Sequence, residues 1–190
     1  QGLQLNKNQR WICSWSQIEI GAALAMSVGV CLENNKKETV VVIVDGGFHT
    51  NPQALAIIKK FNLPIKIFVL QNQGYLSIKN TQDKFYDGRR MGTSENDGLF
   101  FPKINKIAQA YEISHTCIDR IIDLNTGIKS ILNLNEPMIC EIVCPELQEI
   151  YPGITATKNK DGKLEQNDFS RMTPQLSDEE YNQEMIKDEV

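Results

Sequence analysis

Several things are scarce or missing in this 190-residue chain. It holds two histidines and two tryptophans, and aromatics make up 7%. Its five cysteines, at positions 13, 31, 117, 140 and 144, include no C-x-x-C pair. An odd count without paired spacing excludes a zinc-knuckle and offers no disulfide framework. No apolar run approaches the ~18 residues that a bilayer-spanning helix needs, and no basic-then-apolar leader opens the chain. No G-x-G-x-x-G follows a strand, which argues against a dinucleotide site, and no G-x-x-x-x-G-K-[ST] is present, which argues against ATP. Excess charge is lacking too: 20 Lys+Arg against 24 Asp+Glu gives a net −4. That balance leaves no electrostatic reason to expect nucleic acid or an anionic membrane. Gln1 in place of Met leads us to expect a processed or trimmed piece of something longer.

What is present suits a folded domain. Hydrophobic residues at 41% and charged residues at 23% can build a substantial core. Strands and helices alternate. Arg10–Ser14 reads as a short strand. Ile18–Leu32, small and apolar all round, reads as a fully buried helix. Thr39–Val44 (TVVVIV) is an unbroken β-branched run, expected as a parallel strand covered on both faces. Thr50 or Asn51 is expected to cap a helix with Pro52 at its first position and Leu55, Ile58 and Phe61 on its apolar face. Ile65–Leu70 is the next buried strand. Residues 71–101 are polar and aperiodic, as a long functional loop would be. A helix is expected over Pro102–Tyr111, a strand over Ile113–Cys117, a helix over Asp123–Leu132 and a last buried strand over Pro137–Cys144. The cysteines read as reduced core thiols, favouring a reducing, cytoplasmic compartment. This order predicts a doubly wound, mostly parallel α/β sheet flanked by helices over residues 1–145. Residues 146–190, with turn signals and an acidic end, read as a C-terminal arm closing on a short helix from Asp178 to Ile186, packed on the domain or on a partner.

Ligands of such sheets bind beyond the carboxyl ends of strands. Asp45-Gly46-Gly47 follows the first buried strand and Gln71-Asn72-Gln73-Gly74 follows the second. Asp45 offers a carboxylate oxygen, Asn72 an amide oxygen, and Gly74 a backbone carbonyl that no side chain obstructs. Oxygen donors of this kind suit Mg²⁺ or Ca²⁺ and not zinc. Three protein oxygens leave about three octahedral positions for phosphate and water. Gly46 and Gly47, placed just before a helix, offer N–H groups to an anion. The residues thus describe a metal–diphosphate site and leave the diphosphate open.

Val44-Asp45-Gly46, followed 24 residues on by Gln71-Asn72, resembles the G-D-G-x(24–27)-N-N signature of thiamine-diphosphate enzymes. LPIKIFVLQNQGYLSIKNTQ, FPKINKIAQAY, IEIGAALAMSVGVCLENNKK and DGKLEQNDFSRMTPQLSDEEY are similar to acetolactate synthase-like members in particular. The similarity covers the C-terminal, diphosphate-binding domain. It implies that Asp45, Asn72 and the Gly74 carbonyl hold Mg²⁺, and that Gly46, Gly47, Phe48 and the amides after Asn72 meet the diphosphate. It places Ile20 under the bent cofactor, and Tyr75 and Leu76 beside it. It implies a 2-oxo acid substrate, decarboxylation with or without carboligation, and a homo-oligomer. No catalytic residue is assigned to this chain, because the family's activating Glu lies on a separate pyrimidine-binding domain or subunit. The chain alone is therefore expected to be inactive.

Four departures stand out. Val44 replaces the first Gly and Gln71 the first Asn; Glu19 stands where a small residue is common and Ala25 where Pro is. Val44 and Gln71 lend support to an alternative, a non-catalytic cofactor-binding or interaction module of the same fold. Other residues read as follows. His49 is a candidate for substrate or diphosphate contact. Arg89 and Arg90 are candidates for an anionic substrate or phosphate, with solvated loop charge the commoner case. His115 lies away from the motif as a structural residue. Trp11, Trp15 and the methionines read as packing.

Overall fold

The structure, a computed structural model, describes residues 4–14, 19–148, 151–154 and 156–185. The chain divides into two compact units, Gln1–Leu147 and Gln148–Val190.

In the first unit, β1 (Thr39–Val44), β2 (Ile65–Gln71), β3 (Ser114–Ile118) and β4 (Met138–Val143) form one parallel sheet in the order β1-β2-β4-β3. Helices lie on both faces, so the architecture is the doubly wound α/β sheet that the sequence predicts. One face carries Val41, Ile43, Ile65, Ile67, Val69 and Ile139. It packs against Leu24, Val28 and Cys31 of α1 (Ala22–Glu33), Leu55 and Ile58 of α3 (Ala54–Lys60), and Ile104 and Ala108 of α5 (Ile104–Ala110). On the other face, Phe68, Ile118 and Cys140 pack with Ile131, Leu124 and Ile128 of α6 (Leu124–Leu132). Each fully buried Ile or Leu contributes about 1.5–3 kcal/mol. The core therefore fixes β1 beside β2, with Val44 opposite Leu70. That register brings the two strand ends, and the loops after them, side by side.

Several expectations are corrected. Residues 10–14 run without a strand. The helix expected from Ile18 begins at Ala22; residues 15–18 lie outside the described residues. It buries one face only, Leu24, Ser27, Val28 and Cys31, because it lies against β1 and α3 rather than between layers. β1 is likewise covered on one face. Val40, Val42 and Val44 remain 49%, 51% and 42% exposed, since α6 covers the β3–β4 side of their face and β1 is the edge. Asp45-Gly-Gly is no turn before a helix but the start of one, α2 (Asp45–Thr50). The next helix therefore starts at Ala54, not at Pro52, and Phe61 ends it largely exposed, with the ammonium groups of Lys36 and Lys60 over its ring. The expected long loop contains α4 (Leu76–Phe85) and a short 3-10 turn, Glu95–Asp97. α4 has no apolar stripe to announce it; its one fully buried residue is Lys79. Trp11 and Met91 are exposed rather than packed, and Trp15 lies outside the described residues.

The second unit holds an antiparallel hairpin, β5 (Ala156–Lys158) with β6 (Leu164–Gln166), and α7 (Asp178–Glu184). Ser177 and Glu180 form a capping box on α7. Residue 186, the expected end of that helix, lies outside the described residues.

Candidate functional site

The three oxygens singled out in the sequence converge. Asp45 is 2% exposed and Asn72 is 7% exposed, at the ends of adjacent strands. Asp45 Oδ1 accepts the Gly46 N–H at 2.6 Å and Oδ2 accepts the Gly74 N–H at 3.1 Å. One terminal atom of the Asn72 amide lies 3.0 Å from the Gly74 carbonyl oxygen and 3.1 Å from Asp45 Oδ1. As nitrogen that atom donates to both. As oxygen it completes a cluster of three oxygens that a cation between them would hold together. Mg²⁺ with ligands at 2.0–2.1 Å on octahedral axes sets neighbouring oxygens about 2.9–3.0 Å apart. The donor set therefore fits a small hard cation. Among the described residues no group of three His, Cys, Asp or Glu side chains could hold a metal, so this mixed amide–carboxylate–peptide set is a different kind of site.

The electrostatics agree. Burial pushes the Asp45 carboxyl above its usual range, against the N–H groups of Gly74, Gly46, Gln73 and Asn72, which act to lower it. No side-chain cation contributes to that balance. A buried carboxylate without a cationic partner is costly, and a bound metal ion removes the cost.

The loop that carries Gly74 is strongly constrained. Gln73 has φ +63° and Gly74 φ +126°. A Cβ on Gly74 would stand 2.0 Å from the Thr93 carbonyl oxygen, so only glycine allows the two backbones to approach. Thr93 accepts the Tyr75 N–H at 2.9 Å. Beneath the loop, the Lys79 ammonium donates to the Gln73 carbonyl at 2.9 Å and to Glu146 Oε1 at 3.0 Å. Neither Lys79 nor Thr93 was singled out in the sequence. Lys79 reads as an ordinary solvated lysine, and Thr93 acts through its main-chain oxygen, which leaves no sequence signal.

The other expected site residues fall as follows. Gly46 and Gly47 lie in the first turn of α2, where amides have no helical partner. Tyr75 packs its ring against Gly46, where a Cβ would lie 2.5 Å away. Leu76 starts α4, half-buried, and its N–H reaches the Gly74 oxygen at 3.2 Å. Ile20 is 52% exposed, and its carbonyl accepts the Thr50 hydroxyl at 3.2 Å, which ties it to α2. The Phe48 side chain is fully buried in the main core, so what this residue offers a ligand is its N–H.

A groove of about 740 Å³ opens beside Asp45 and is lined in part by His49, Gln71, Gln73 and Phe101. The His49 ring stacks on Phe101 at 4.4 Å, and Phe101 meets the Tyr75 edge at 5.7 Å. Burial holds the His49 pKa below its usual value, so this ring is neutral at pH 7. The groove extends to His115, which pairs with Glu141 at 3.3 Å, so His115 is not remote from the motif as expected. Arg90 forks onto Asp83 at 2.9 and 2.7 Å rather than facing an anion.

Residues 1–142 match the family described as thiamine pyrophosphate enzyme, C-terminal TPP binding domain. The chain belongs to that family. This thiamine pyrophosphate-binding domain is 29% identical over 150 residues to acetolactate synthase 2, chloroplastic, of Zea mays, covering 77% of this chain and 24% of the maize protein. It is 28% identical over 158 residues to acetolactate synthase 2, chloroplastic, of Nicotiana tabacum, covering 81% of this chain and 24% of that one. The chain thus spans about a quarter of the length of the curated relatives it matches. Its fold is similar to that of a Rhodococcus jostii RHA1 thiamine diphosphate-dependent 4-hydroxybenzoylformate decarboxylase, with TM-score 0.59 and 22% identity over 69% of this chain and 24% of that one. No helix among the described residues is long and apolar enough to cross a membrane.

Proposed function

We propose that this chain is the diphosphate- and Mg²⁺-binding part of an acetolactate synthase-like enzyme acting on 2-oxo acids. The observation that carries the reading is the meeting of Asp45, Asn72 and the Gly74 carbonyl within 3.1 Å of the Asn72 amide. Asp45, Asn72 and Gly74 would hold the metal ion. The first-turn amides of Gly47 and Phe48 would meet the diphosphate, joined by that of Gly46 if it exchanges its bond to Asp45 Oδ1 for the ligand. Ile20 and Tyr75 would flank the cofactor and orient its rings, with Leu76 at the start of the next helix.

Thiamine diphosphate supplies the carbon nucleophile and electron sink for decarboxylation, with or without ligation to a second carbonyl compound. The chain's own groups bind and orient. Asp45 would hold the metal ion and offset its charge, and the groove walls of His49 and Phe101 would limit water at the bound cofactor. On this reading the glutamate that activates the pyrimidine ring belongs to another domain or subunit, sites form in a homo-oligomer, and this chain alone does not turn over. Residues 146–190 form an arm in the same reading. The cysteines are all free, in keeping with a reducing compartment such as the cytoplasm.

Calorimetry of the full-length protein with thiamine diphosphate tests it. Heat that requires Mg²⁺ and disappears in Asp45→Asn is expected. Absence of heat at millimolar cofactor and Mg²⁺ overturns the cofactor reading.

A further inference from the structure

Asp97 lies 25 residues beyond Asn72 in sequence, and its carboxylate bonds Thr93 and Ser94 rather than any of the three oxygen donors. That carboxylate nevertheless accepts four hydrogen bonds from the segment that backs the Gly74 loop. Oδ1 accepts the Thr93 N–H at 2.5 Å and the Ser94 N–H at 2.8 Å. Oδ2 accepts the Thr93 and Ser94 hydroxyls, each at 2.8 Å. The Asp97 main chain adds a bond, from the Gly92 N–H to its carbonyl at 2.8 Å. Thr93 is fully buried within this clasp.

The consequence follows from peptide geometry. The Thr93 carbonyl accepts the Tyr75 N–H at 2.9 Å. That N–H and the Gly74 C=O belong to one planar trans peptide and point in opposite directions. Holding the N–H on Thr93 therefore aims the Gly74 oxygen away from Thr93, toward Asn72, where it lies 3.0 Å from the amide. The Gly74 backbone cannot back away into another course without losing its tight approach to Thr93. We infer that Asp97 is a positioning residue: through Thr93 it sets the plane of the Gly74–Tyr75 peptide and so aims the Gly74 carbonyl into the cation site. The inference rests on the cation reading proposed above and adds a residue that the signature motif does not contain.

The substitutions separate geometry from charge. In Asp97→Asn the amide oxygen still accepts both N–H groups, and its NH₂ donates to the two hydroxyls, which reorient. In Asp97→Ala the whole clasp is lost. Mn²⁺ binding, read by electron paramagnetic resonance with thiamine diphosphate present, is the probe, on the full-length protein. Asp97→Ala is expected to bind Mn²⁺ about tenfold more weakly, the scale of removing one well-made hydrogen bond. Asp97→Asn is expected to stay within about threefold of the wild type by the same scale. A merely structural role would lower the melting temperature of Asp97→Ala while its folded fraction bound Mn²⁺ normally, and that result overturns the inference. Equal weakness of Asp97→Asn and Asp97→Ala overturns it too, because charge would then be the cause. If Asp97→Ala does not fold, Thr93→Val removes one hydroxyl bond and keeps the carbonyl; a loss of about two- to threefold supports positioning, and no loss refutes it. Wild-type protein that binds no Mn²⁺ brings down the cation reading itself, which is a separate failure.

Discussion

The Lys79 ammonium, without exposed surface, donates to the carbonyl of Gln73 at 2.9 Å. Gln73 is the left-handed residue that turns the chain from Asn72 into Gly74. A charged side chain thus supports the loop from beneath, while Glu146, partly exposed, balances the charge at 3.0 Å. Lys79→Met leaves the Gln73 carbonyl without this donor and removes the one buried anchor of α4. A loss of about 1–3 kcal/mol is expected, since Glu146 can turn to water. Urea midpoints measure it, and an unchanged midpoint refutes this role.

Asp45→Asn is expected to separate stability from binding. In the metal-free protein the substitution removes a buried charge, which favours folding, and misplaces one N–H partner, which opposes it. The two offset to within about 1 kcal/mol. Mg²⁺-dependent cofactor binding should fall by on the order of 100-fold, because a neutral amide replaces the single carboxylate of the donor set. Thermal unfolding without metal and calorimetry with it check both halves. Normal binding by Asp45→Asn contradicts the assignment.

The strand ends and the two short motifs were legible because apolar runs such as Thr39–Val44 and Ile65–Leu70 read as strands, and because Asp45 follows the first directly and Asn72 follows the second after Gln71. The devices that hold the loop were not. α4 lacks apolar periodicity, so nothing in Leu76–Phe85 distinguishes it from a polar loop until Lys79 is seen to be its buried anchor. Thr93 acts through a backbone oxygen, which every residue has. The exposure of Val40, Val42 and Val44 was equally hidden, since a run of valines does not say which of its two faces a neighbour covers.

Acid should release the Asp97 clasp. Burial pushes this carboxyl up, but the Ser94 N–H, the Thr93 hydroxyl and N–H, and the Ser94 hydroxyl outweigh it and hold the pKa well below the usual carboxylate range. A folded pKa below the unfolded one means a contribution to stability that is present above the unfolded value, about 3.9, and is lost as pH falls from there through the folded value. Asp97→Asn lacks this titration. Its stability relative to wild type should therefore rise as pH drops from about 5 to about 2.5 in urea titrations. Parallel acid profiles for the two proteins would show that the carboxylate's bonds contribute nothing.

Two glycines, one just before α1 and one inside it, should respond in opposite directions to alanine. Gly21 has φ +86°, and a Cβ there would stand 1.7 Å from Thr50 Oγ1 and 2.6 Å from the Gly47 carbonyl oxygen. Thr50 can rotate away, but only by giving up its bonds to the Ile20 and Gly47 carbonyls. The Gly47 oxygen is backbone and cannot move without shifting α2. Gly21→Ala is therefore expected to cost about 2–4 kcal/mol, from left-handed strain plus overpacking, and to weaken cofactor binding by displacing Gly46 and Gly47. Gly29, inside α1, has nothing within 4 Å of the same position. Gly29→Ala should stabilise the protein by about 0.5–1 kcal/mol through helix propensity alone. Thermal melting of the pair decides: a tolerated Gly21→Ala would mean that the turn before α1 does not press on α2, and Ile20 would lose its anchor beside the site.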